Sequence, residues 1–215
     1  MSNKSKNIIL YTTATLIAVG LLYTIFRVST KNFLANSPFR RRSVRIAKQE
    51  LEKWNKRKET SSETLPYLQE YWRTLGWKDN QWSTGTAWSG AFISYVLRKS
   101  RATDEDFKFS ARHSVYIQKA IENKKNKKRK GFKGYKLDEK KVELGDLVCY
   151  SRQGGVDYDT TGEYISHCDI VVAIDGDNAI GIGGNVSDSV SESKIPLQNG
   201  FVKGGNRRFV VIKTK

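Results

Sequence analysis

The stretch CDIVVAIDGDNAIGI, residues 168–182, reads as two β-strands joined by a tight turn. Residues 168–174 form a short apolar run rich in Ile and Val, of strand length. Asp175 and Gly176 supply the turn, and residues 179–182 return as the next strand. Residues 146–150 and 209–213 repeat the β-branched signature on either side. Upstream the hydrophobic period changes. Within residues 86–100, Trp88, Phe92, Ile93, Val96 and Leu97 recur at three- and four-residue steps, which predicts a helix. Pro66 and Gly76 bracket another, with Tyr67, Leu68, Tyr71, Trp72 and Leu75 as its apolar face. Residues 107–121 predict a third, with Ser110 as its N-cap. Residues 40–58 form a basic amphipathic helix, read equally as lying on anionic headgroups or as covering the core. Helices followed by antiparallel strands is an α+β order.

The chain has 215 residues and a net charge of +16, much of it within residues 40–58 and 124–136. Such a balance attracts polyanions and is silent on fold. Residues 7–26 contain no charged side chain, and about 20 apolar residues suffice to cross a bilayer as a helix. The expected organisation is an N-terminal transmembrane anchor (1–31), a basic juxtamembrane helix or linker (32–60) and one α+β domain (61–215). The bilayer, contacted through residues 8–26, is thus an expected partner, and single-pass membrane attachment the expected location. Basic residues after the span place the domain on the cytoplasmic side by the positive-inside rule.

Two cysteines, Cys149 and Cys168, fall in strands expected to be neighbours, so a disulfide and two buried thiols are both open. There is no CxxC and no Cys/His cluster, so neither a metal nor another cofactor is expected.

Three polar residues stand at points where chemistry could be done. Ser89 lies near the start of an apolar helix, where free N–H groups and the helix dipole favour a developing anion. A hydroxyl needs a base to take its proton. His167, at the head of a strand, is a candidate base, and Asn185, after the next strand, a candidate orienter. The plain alternatives are an N-cap serine, a structural histidine and a turn asparagine. Trp88, His113 and Arg152 are expected to line the substrate cleft, Arg152 because a guanidinium grips a carboxylate with two donors. Asp169 is read as facing away from His167.

Several blocks resemble known families. WSGAFISYVLR (residues 88–98) is similar to the WCAAFVSWVLR-type helix of the NlpC/p60 and CHAP cell-wall hydrolases. GDLVCY (145–150) resembles their first core strand, SHCDIVV (166–172) their GHVGIVV strand, and GGNVSDSV (183–190) the segment after it. The resemblance implies a papain-like NlpC/p60 fold, with helices packed on a small antiparallel sheet. It also implies a nucleophile at Ser89, a base at His167 and an orienter at Asn185. Residues 71–197 are more similar still to a bacterial and phage family known as domain of unknown function 2272. That similarity is carried also by YWRTLGW (71–77) and FSARHSVYIQKAI (109–121).

Ser89 stands where the hydrolases carry cysteine, and three readings follow. Ser89 works as a serine nucleophile on a peptidoglycan amide bond, Cys149 or Cys168 has taken over, or the domain is a catalytically inactive envelope or virion binding protein. Cys168 alternates with His167 along the strand, which counts against it. The hydrolase reading places the domain outside the cytoplasm, against the charge rule; a protein carried in a virion is exempt from that rule. The lysine run 124–136 reads as a solvated loop, or as a footprint for peptidoglycan or another anionic wall polymer. Nucleic acid ranks last, because regular aromatic interleaving is missing.

Overall fold

The computed structural model describes residues 37–215. The expected membrane segment, residues 8–26, lies outside them; among the described residues no helix is long and apolar enough to cross a membrane. Residues Pro38–Lys215 form one compact unit. Its elements run α1 (Pro38–Trp54), α2 (Leu65–Thr74), α3 (Ser89–Lys99), α4 (His113–Lys125), β1 (Lys133–Tyr135), β2 (Leu147–Ser151), β3 (Ser166–Asp175), β4 (Asn178–Val186), β5 (Ser189–Gln198), β6 (Phe201–Val202) and β7 (Arg208–Lys213). The architecture is α+β, with a seven-stranded antiparallel sheet in the order β1-β7-β2-β3-β4-β5-β6.

α1, which the sequence leaves equally as a helix on anionic headgroups or a first helix on the core, packs its apolar stripe on the core. Phe39, Val44, Ala47 and Trp54 recur on one face of it and are all buried in the main core. Its Arg40 reaches the buried Asp146 at 2.9 Å, an acid that Lys213 of β7 also pairs. Asp146 further accepts the Glu143 amide at 2.8 Å. The Gly-Asp-Leu block therefore ties the first helix to the sheet. Gly145 stands at φ +85°, and a Cβ there would lie 3.1 Å from the Arg40 α-carbon, so a side chain would be both strained and crowded.

α3 is the central helix, with every residue from Ser89 to Leu97 buried. Trp88 immediately before it is 1% exposed, stacks on Trp54 and donates its indole N–H to the buried Glu59. Trp88 is therefore a core residue and not, as expected, part of a substrate surface. The helix expected over 107–121 begins later, at His113. Ser110 does not cap it; its hydroxyl accepts the Arg112 amide at 3.0 Å in a local turn. β5 is a strand that periodicity did not disclose, because Ser191, Glu192, Ser193, Lys194 and Pro196 mask its few apolar positions.

Cys149 and Cys168 sit directly opposite each other on β2 and β3 and are bonded as a disulfide. Neither is free to act as a nucleophile.

Candidate functional site

The geometry begins with Gly90. A Cβ there would lie inside 3.0 Å of the Ala111 carbonyl, so glycine lets the start of α3 abut residues 111–113. That approach brings together the first residues of two helices, Ser89 of α3 and His113 of α4. Ser89 Oγ lies 2.6 Å from His113 Nε2. Ser89 is not an N-cap; Trp88 holds that position and makes no side-chain capping bond. The first helical bond of α3 is Phe92 N–H to the Trp88 carbonyl, so the amides of residues 89–91 precede the ladder at the positive end of the dipole.

His113 is 5% exposed, and its other nitrogen, Nδ1, is hydrogen-bonded to Tyr116 Oη one helical turn on. Burial, then the neighbouring His167 and Arg152, hold the His113 imidazolium well below the usual histidine range, so the ring is neutral near pH 7. Burial and then the Asp169 charge push the Tyr116 phenol well above its usual range, so it stays protonated. When His113 Nδ1–H donates to Tyr116 Oη, the Nε2 lone pair faces the Ser89 hydroxyl and can take its proton.

His167 lies close to His113, with ring centroids 5.1 Å apart, but is bonded elsewhere. Arg152 Nη2 sits 3.1 Å from His167 Nδ1. A guanidinium only donates, so Nδ1 accepts, and Nε2–H then donates to Asp169 Oδ1 at 3.0 Å. Asp169 Oδ2 in turn accepts from Ser193 Oγ at 2.8 Å. Both nitrogens of His167 are thus committed, and no hydrogen bond joins it to Ser89.

Asp169 shares a face with His167, contrary to expectation, because residues two apart on a strand point the same way. Asn185, the expected orienter, stands at φ +55° near the end of β4 and makes no side-chain hydrogen bond to His167. Its place beside His167 is closed by Gly183, where a Cβ would fall inside 3.0 Å of both His167 Nε2 and Asp169 Oδ1.

Ser89 and His113 open onto a cleft of about 420 Å³, also walled by Arg112, Arg152, Tyr164 and Ser166. A larger groove of about 530 Å³ between α4 and residues 158–161 contains neither histidine nor Ser89. Sequence reasoning missed Tyr116 and Ser193. The i, i+3 spacing of His113 and Tyr116 on one helix face was a usable signal; Ser193 lies 24 residues from Asp169 and had none.

A family model described as "Uncharacterized protein conserved in bacteria (DUF2272)" matches residues 47–210. No curated protein and no solved structure matches the chain.

Proposed function

The chain belongs to this bacterial family, whose description names no activity, and we propose from the site alone that it is a serine-dependent acyl hydrolase. The observation that carries the reading is the 2.6 Å Ser89 Oγ–His113 Nε2 contact at a helix N-terminus on an open cleft. Ser89 Oγ attacks the carbonyl carbon of an amide as His113 Nε2 takes the hydroxyl proton. The carbonyl oxygen becomes an oxyanion, met by first-turn amides of α3, the Ser89 N–H among them. The C–N bond breaks as His113 returns the proton to the leaving amine. Water, deprotonated by the same imidazole, then releases the acid and restores Ser89. Tyr116 orients the base. Arg152, which also holds His167, adds positive field beside His113 and helps keep it neutral.

The finer reading is a papain-like fold acting on a peptidoglycan amide bond, with residues 8–26 as a membrane anchor. The sequence blocks shared with the cell-wall hydrolases support it. The full chain should release soluble muropeptides from purified sacculi, and Ser89→Ala and His113→Gln should each stop it. Equal release by all three proteins sinks the assignment. The anchor requires the full chain to pellet with membranes until detergent is added, and a chain starting at Pro38 to stay in the supernatant.

A second reading rests on Tyr116. If its phenol donates to His113 Nδ1, the imidazole proton sits on Nε2 and points at Ser89, which is then not activated. The domain would in that case be an envelope or virion binding protein, and the sacculus assay would show no Ser89-dependent release.

A further inference from the structure

The cleft beside Ser89 carries hydrogen-bond donors that the hydrolytic steps do not use. Ser166 lines it, is 7% exposed, and its hydroxyl has no hydrogen-bond partner in the protein; Tyr164, 8% exposed, also lines it, with its phenol beside Gln118 of α4. Leaving a hydroxyl such as that of Ser166 unpaired in a buried wall is unfavourable, so it calls for an acceptor. Burial pushes the Tyr164 phenol up to about 12, which keeps it a neutral donor. Arg152 on the same wall is exposed and spends Nη2 on His167, and no carboxylate pairs with it. Arg112 differs in being paired with Glu163. The Arg152 guanidinium, paired with no carboxylate, and the unpartnered Ser166 hydroxyl thus stand on the nucleophile's own cleft, where the Glu163 carboxylate is held by Arg112.

We propose that Arg152 and Ser166 form a carboxylate subsite, so that the cleft takes acyl compounds bearing a free carboxylate near the carbonyl presented to Ser89. A planar guanidinium fork matches a carboxylate's two oxygens, and the Ser166 hydroxyl adds one donor. The placing of the acyl carbon rests on the hydrolase reading; binding of the carboxylate does not.

Calorimetric titration of the full chain in nonionic detergent tests it, using succinic acid monoamide and its neutral counterpart succinamide. The subsite requires the monoamide to bind at least tenfold more tightly. Arg152→Gln should erase that preference, and Ser166→Ala should reduce it several-fold. Ser166→Ala changes no charge and carries the test if Arg152→Gln fails to fold, which thermal melting reports. Arg152→Lys should keep a weaker preference, since a point charge lacks the fork. Equal binding of the two ligands, or a preference unchanged in Arg152→Gln and Ser166→Ala, overturns the proposal. So does saturable binding of inorganic phosphate without binding of the monoamide. A preserved preference alongside inert sacculi sinks the hydrolase and leaves the subsite standing.

Discussion

His113 and His167 face each other with ring centroids 5.1 Å apart, yet only His113 reaches the Ser89 hydroxyl. One imidazole has a nitrogen available to a proton donor; the other is clamped between a guanidinium and a carboxylate. The chain's two histidines are thus held differently, each by its own hydrogen-bond partners.

Replacing Ser89 by Cys should expose this division directly. The two native cysteines are bonded, so the new thiol is the chain's single target for alkylation. A helix N-terminus and an adjacent imidazole both favour thiolate. Iodoacetamide should modify Ser89→Cys about tenfold faster at pH 7 than the Ser89→Cys/His113→Gln double variant. His167→Gln should slow it less. Equal rates in all three would remove His113 from the base role.

Stability should fall on mild acidification because of His113. Its folded-state pKa is lowered, chiefly by burial. Its contribution is therefore intact above the unfolded value near 6.5 and is lost as pH falls below it toward the folded value. In that window the unfolded chain binds one more proton, and unfolding free energy should drop by about 1.4 kcal/mol per pH unit. Urea melts between pH 7 and pH 5 should show a shallower slope in His113→Gln. Parallel slopes would contradict a neutral buried imidazole.

Gly183→Ala should damage the site through its second layer. The added methyl would fall inside 3.0 Å of His167 Nε2 and Asp169 Oδ1, two buried groups with no room to yield. A loss of about 1–3 kcal/mol is expected from such overpacking, read as a lowered denaturation midpoint. Substituting alanine at Gly154, where nothing lies within 4 Å and φ is not positive, should change stability by less than about 0.5 kcal/mol.

Removing the Cys149–Cys168 bond frees a closed loop with a sequence separation of 19. The chain-entropy estimate for a loop of this length is about 3 kcal/mol. The double alanine variant should melt at correspondingly lower denaturant, and dithiothreitol should bring the native chain to the same midpoint. A midpoint insensitive to both would show that the bond does not form.

Much of the α+β order was legible in local pattern. Residues 86–100 carry a helical period, and residues 168–182 an Ile/Val-rich run of strand length followed by an Asp-Gly turn; α3, β3 and β4 appear there. β5 was hidden because an antiparallel strand half open to solvent holds few apolar residues, here Val190, Ile195 and Leu197 among polar neighbours. α1 was ambiguous for a related reason: an apolar stripe beside arginines suits a membrane surface and a protein core equally well.

By itself, the sequence determined that Ser89 heads an apolar helix, that His113 belongs to a helix and that His167 heads a strand. It could not say which imidazole the hydroxyl would meet. That choice depends on how closely α3 approaches residues 111–113, which Gly90 permits, and on Arg152 and Asp169 saturating the other ring. Hydrogen bonds between side chains distant in sequence reflect packing distances of a few tenths of an ångström. Local propensity and periodicity carry no information on that scale, and only the tertiary structure supplies it.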